Sequence, residues 1–122
     1  MASLVTSKLP EVESYLSEGT VPGVVGGEDW GGSGDTVFQS CDPGSGDVLA
    51  EVHAYTADDV NRSVEKANES FKKSGWATLA PNDRAVRLHR FADLMEQKKQ
   101  VVSQIEAIDA GKLPAQALGD VE

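Results

Sequence analysis

The stretch Thr36-Val-Phe-Gln-Ser-Cys-Asp-Pro-Gly-Ser-Gly-Asp-Val-Leu-Ala-Glu-Val-His-Ala-Tyr-Thr56 decides how this chain is read. Thr36 to Cys41 is rich in strand-favouring residue types. From Val48 to Thr56, Val48, Ala50, Val52 and Ala54 alternate with more polar neighbours, which is the period of a strand with one buried face. Between them, Asp42-Pro-Gly-Ser-Gly-Asp47 supplies a proline with fixed φ and two glycines free to take positive φ. Two strands joined by such a turn form a β-hairpin.

Downstream the period changes from two to 3.6. Thr56 followed by Asp59 is a capping box with Asp in place of Glu, and Asp58 and Asp59 suit the positive end of a helix dipole. Val60, Val64, Ala67 and Phe71 recur at helical spacing, Glu69 and Lys73 form an i,i+4 pair on the wet side, and Gly75 ends the helix. Pro81-Asn-Asp83 opens the next helix, with Ala85, Leu88, Phe91, Ala92 and Met95 along one side. Val101, Val102, Ile105 and Ile108 continue as an amphipathic stretch that stops at Gly111, and a further helix begins after Pro114. Upstream, Leu9 to Ser17 reads as one short amphipathic helix stopped by Gly19. Gly19, Gly23, Gly26, Gly27, Gly31, Gly32 and Gly34 then break the backbone into short extended pieces joined by turns.

Composition limits the function classes. With 122 residues, 39% hydrophobic and 25% charged, the chain is about one small globular domain with a modest core. A net charge of −9 argues against nucleic acid and against an anionic membrane surface as partners. No apolar run approaches the roughly 20 residues that span a bilayer. The opening residues lack the apolar stretch of a secretory signal, and Glu11 and Glu13 come too early and Arg62 too late for a mitochondrial presequence. The single cysteine, Cys41, excludes an intrachain disulfide and fits a reducing compartment. A soluble cytoplasmic protein is the expectation.

Few residues invite chemistry. Cys41 has no adjoining histidine or positive cluster, so it reads as a small packed hydrophobe rather than a nucleophile. His53 and His89 stand alone without metal-ligand spacing, and His89 lies among Arg84, Arg87 and Arg90 on a solvated helix face. Gly31-Gly-Ser-Gly34 leads into a strand, whereas a dinucleotide fingerprint opens a helix. Gly111-Lys112 lacks the other residues of a P-loop. Asp109 differs from these. It falls in the last turn of a helix, where a carboxylate is unfavourable by roughly 0.3–1 kcal/mol. A cation, a backbone donor, Lys112 or a local hydrogen bond would offset that cost.

The order of these segments resembles the aldehyde dehydrogenase superfamily. Gly27-Glu-Asp-Trp30 and Phe38-Gln-Ser-Cys-Asp-Pro-Gly-Ser-Gly-Asp47 with Val48-Leu-Ala-Glu-Val52 are similar to that family's N-terminus. Asp58-Asp-Val-Asn-Arg-Ser-Val-Glu-Lys-Ala-Asn-Glu-Ser-Phe71, then Gly75-Trp76, Arg84-Ala-Val-Arg-Leu-His-Arg-Phe-Ala-Asp-Leu-Met-Glu96 and Ile105-Glu-Ala-Ile-Asp-Ala-Gly-Lys112 follow collinearly. Asp42-Pro43 stands where Asn-Pro is common, Asp29 separates Glu28 from Trp30, and Leu113 separates Lys112 from Pro114.

The resemblance implies an α/β parent with a Rossmann-like three-layer fold, of which this segment is mostly α-helical with an N-terminal β-hairpin. Residues 1–25 would be an N-terminal extension with a short helix, and residues 26–122 a partial cofactor-domain segment. It implies NAD- or NADP-dependent oxidation of an aldehyde to an acid through a cysteine thiohemiacetal and thioester. The family's nucleophilic cysteine, general-base glutamate, oxyanion asparagine and cofactor-binding lysine lie downstream of the matched segment. No catalytic or cofactor-binding residue is therefore assigned here, and no cofactor is expected for this chain alone. One family site does reach the segment, a structural monovalent cation. The positions implied for it are the backbone carbonyls of Ser40 and Cys41 and the side chain of Asp109. The expected partner is the remainder of an aldehyde dehydrogenase or its subunits. A self-standing, non-catalytic interaction module that pairs with a full-length dehydrogenase subunit or another partner is the alternative.

Overall fold

The computed structural model describes residues 3–5 and 7–122. Helix α1 covers Pro10–Ser17, with proline at its first position, where the missing N–H costs nothing. Three short strands follow, β1 (Thr20–Val21), β2 (Gly23–Val25) and β3 (Glu28–Trp30). β2 and β3 form an antiparallel hairpin turned by Gly26 and Gly27, both at positive φ (68° and 83°). A two-residue turn of that hand matches the twist of the strands, and Gly-Gly is among the few pairs that adopt it without strain.

The expected central hairpin is present as β4 (Val37–Cys41) and β5 (Val48–His53). Asp42 makes its turn: the backbone N–H groups of Gly44 and Ser45 donate to Asp42 Oδ1 at 2.7 and 3.2 Å. β5 stops at His53 rather than running on to Thr56, because Thr56 is already the N-cap of α2 (Ala57–Lys73). β1 adds to the other side of β5 in parallel, giving the sheet order β1-β5-β4.

Gly75 (φ 71°) ends the α2 segment in the left-handed region and starts a 3₁₀ turn, Trp76–Thr78. The two apolar stretches read after Pro81 are one continuous helix, α3 (Pro81–Ala110), 30 residues long. Nothing between Met95 and Val101 breaks it, since Glu96-Gln-Lys-Lys-Gln100 are all good helix formers. Gly111 (φ 66°) terminates α3, with the Gly111 and Lys112 N–H groups both directed at the Ala107 carbonyl, and α4 (Pro114–Val121) folds back along it.

Packing is uneven. The buried apolar residues are Val12, Ala50, Ala107, Ile108 and Ala117, so the core lies where α1, β5, the second half of α3 and α4 meet. By contrast Val60, Val64 and Phe71 on α2, and Val86, Leu88, Phe91 and Leu94 on α3, are each more than half exposed. The stripe read along α2 is therefore real as a helical period, but little among the described residues covers it. The mostly helical segment with a β-containing N-terminal part agrees with the class expected from the sequence.

Candidate functional site

Two polar clusters organise the fold, and the first is centred on Asp59. Its carboxylate completes the capping box: Thr56 Oγ1 accepts from Asp59 N–H at 3.2 Å, and Thr56 N–H donates to Asp59 Oδ2 at 3.0 Å. Oδ2 also accepts from the Thr56 hydroxyl and from both the N–H and the hydroxyl of Ser33. Asp59 is fully buried. The Thr56 N–H, helped by these other donors and opposed by burial, holds its carboxyl well below the usual carboxylate range. The same contacts tie the glycine-rich stretch to α2. Gly32 (φ 74°) runs beside both Asp59 and the ring of Tyr55. The Tyr55 hydroxyl accepts from Gly23 N–H and donates to the Trp30 carbonyl, each at 2.5 Å. The Trp30 ring lies against Arg62 and Lys66 of α2, at 4.7 and 5.1 Å, a cation–π arrangement.

These glycines thus have a structural cause. They let the backbone pass close to Tyr55 and Asp59 and then enter β4, and they present no helix N-terminus to a phosphate. Thr56→Ala is expected to cost about 1 kcal/mol through loss of the cap. Far-UV circular dichroism during urea unfolding checks this, and a cost below about 0.3 kcal/mol would contradict the role given to the box.

The second cluster is at the far end of the β4–β5 hairpin. The pairing register shifts between Ser40 and Cys41, a β-bulge of the kind that re-aims a strand at its end. There the Ser40 hydroxyl donates to Asp109 Oδ1, joining residues 69 positions apart. Ser40 and Asp109, expected from the resemblance to lie together, are neighbours. Cys41 follows on the same strand and is exposed, so its side chain is not the packed hydrophobe that the sequence suggested.

Lys112 does not serve Asp109. It bonds Glu106 at 2.5 Å and Asp120 at 2.9 Å, which raises its pKa, with Glu106 the larger cause, and clamps α4 to the end of α3. The unfavourable dipole position of Asp109 is relieved instead by a hydroxyl from the hairpin, a donor too distant in sequence to be read from it.

The turn itself packs on α3. Pro43 sits so close to Gly111 that a Cβ there would lie 2.7 Å from Pro43 Cγ, and Gly111 is also at positive φ. Of the histidines, His53 ends β5 beside Gly31, and His89 is exposed on α3. Among the described residues, no group of three or more His, Cys, Asp or Glu side chains is placed to hold a metal ion. Any cation here would have to be held mainly by backbone oxygen.

Comparison with known proteins agrees with this architecture. Residues 30–122 match the family described as "Aldehyde dehydrogenase family". The cytosolic 10-formyltetrahydrofolate dehydrogenase of Pongo abelii is 34% identical over 94 residues, 77% of this chain but 10% of that protein. The mitochondrial benzaldehyde dehydrogenase of Antirrhinum majus is 39% identical over 90 residues, 74% of this chain and 16% of its own length. In structure, an aldehyde dehydrogenase from Bacillus cereus in complex with NAD+ superposes with a TM-score of 0.85 at 32% identity, covering 93% of this chain and 23% of that one. The chain spans between a tenth and a quarter of the length of these relatives. It belongs to the aldehyde dehydrogenase family, as an N-terminal segment of that fold.

Proposed function

We propose that this chain is the opening part of an enzyme that oxidises an aldehyde to a carboxylic acid with NAD or NADP, and that its contribution is architectural. The observation that carries this is the fit of 93% of the chain to an NAD+-binding aldehyde dehydrogenase at a TM-score of 0.85. The apolar residues left open on α2 and α3 support it, since an apolar helix face is one built to be buried. NAD or NADP would supply the hydride acceptor. Neither glycine candidate among the described residues fits it: the glycine stretch enters strand β4, and Gly111 ends a helix rather than opening one. The segment's role is to cover the cofactor-binding lobe, and the partner is the remainder of the dehydrogenase. One free thiol suits a cytoplasmic, reducing setting.

The test is an exchange. The corresponding segment of the Bacillus cereus enzyme is replaced by this chain, and aldehyde-dependent reduction of NAD+ is measured. Retained turnover is expected, with none from this chain by itself. A soluble, folded chimera without activity would defeat the proposal.

At the hairpin end, the Ser40 and Cys41 carbonyls and the Asp109 carboxylate are proposed to hold a monovalent cation. The donors are all oxygen, the choice of hard cations, and the Ser40–Asp109 contact brings two of the three residues together. In the chimera, Asp109→Ala should lower the melting temperature more in sodium or potassium than in a bulky organic cation. An equal loss in both would make Asp109 an acceptor for Ser40 and nothing more.

A further inference from the structure

The described residues ahead of α1 meet the rest of the fold at three places, all near the β4–β5 turn and the end of α3. Gln104, on α3, uses both ends of its carboxamide: Leu9 N–H donates to Oε1 at 2.6 Å, and Nε2 donates to the Ser7 carbonyl at 3.1 Å. This mimics a strand pairing between a side chain and backbone nearly 100 residues away in sequence. Ser3 accepts from Val5 N–H, and it lines one cleft together with Asp42, the residue that makes the hairpin turn. Leu4 borders a cleft of about 280 Å³ whose other walls are Asp42, Pro43 and Gly44 of the turn and Ala107, Ala110 and Gly111 of α3. Lys8 adds a positive charge that favours the ionised form of Asp42.

We propose that these N-terminal residues act as a positioning clasp that holds the β4–β5 turn against the last turns of α3. The clasp thereby sets the spacing of Ser40 and Cys41 from Asp109. Its geometry is economical. Gln104 fixes the segment to α3, Ser3 lies beside the turn, and Leu4 borders both of the elements being joined. Release of Gln104 therefore leaves the turn to be held on α3 by contacts such as Pro43 on Gly111 and the Ser40–Asp109 bond. The clasp itself does not depend on a cation. Any benefit to a bound cation rests on the reading above.

The test is amide hydrogen exchange on the intact chain. In Gln104→Ala, the amides of Gly44, Ser45 and Gly46 should exchange about tenfold faster, the effect of losing two hydrogen bonds. Ala54, whose N–H is bonded to the Thr36 carbonyl at the other end of the hairpin, should be unchanged. Gln104→Glu keeps the acceptor for Leu9 and loses the donor to Ser7, so it should fall between. Leu4→Ala, at a half-exposed residue that borders both the turn and α3, should accelerate the same three amides and spare Ala54, and it keeps the test open where Gln104→Ala unfolds the chain. Unchanged exchange at the turn in Leu4→Ala, or equal acceleration at Ala54, would overturn the clasp. Neither result bears on the enzyme exchange described above, so the two ideas fail separately.

Discussion

Purified at micromolar concentration, the chain is expected to bind ANS and to self-associate, with both effects arising from α2 and the first half of α3. Val60, Val64 and Phe71 on α2 and Val86, Leu88, Phe91 and Leu94 on α3 stand more than half exposed. Burying a large apolar side chain is worth about 1.5–3 kcal/mol, so seven left open form a strong drive to find cover. Such patches are uncommon on monomers and mark surfaces meant to be covered. Isolated helices draw most of their stability from packing, so the same segments should also fray. Replacing Phe71 and Phe91 with Glu should reduce ANS fluorescence severalfold and shift sedimentation toward monomer. Hydrogen exchange should show protection concentrated in residues 98–121, α1 and β5, and little in residues 57–97. A monomer that ignores ANS and protects α2 as well as α4 would favour a self-standing module.

Ile108→Ala should be far more damaging than Phe91→Ala, the reverse of what side-chain size suggests. Ile108 is 2% exposed and shares the small core with Val12, Ala107 and Ala117, whereas Phe91 is 62% exposed. Truncating a buried isoleucine costs about 2–5 kcal/mol, transfer and cavity together. Surface replacements usually stay within about 0.5 kcal/mol. Total stability of a domain is only about 5–15 kcal/mol, and a core this small places the chain at the low end. Ile108→Ala is thus expected to abolish protection of α1 and α4 amides and to lower helical circular dichroism at 25 °C, with Phe91→Ala close to unchanged. A larger loss from Phe91→Ala would mean that the first half of α3 finds cover within this chain.

Several of the elements were legible in the sequence because their signals span four residues or fewer. The capping box of Thr56 and Asp59 and Gly111 as a helix terminator each act through neighbouring backbone and stand in the structure as read, and the hairpin turn over Asp42–Asp47 is present, although of its two glycines Gly46 alone takes positive φ. The continuity of α3 across residues 96–100 was less visible, since the apolar pattern fades there while helix propensity does not.

By itself the sequence determined which segments are helix and which are strand, where most of them stop, and, through the collinear order of its motifs, the family. Tertiary structure decided what those segments touch. Val12 and Ile108 became core, while Phe71 and Phe91 of similar or greater hydrophobicity did not. Asp109 found its donor in Ser40, and Lys112 turned to Glu106 and Asp120. Gln104 reached back to Ser7 and Leu9. The physical reason is common to all of these. Local rules act through hydrogen bonds a few residues apart. Burial and charge pairing are instead set by which distant segments the folded backbone brings within a few ångströms, and a helical stripe specifies that a face needs cover without specifying what covers it.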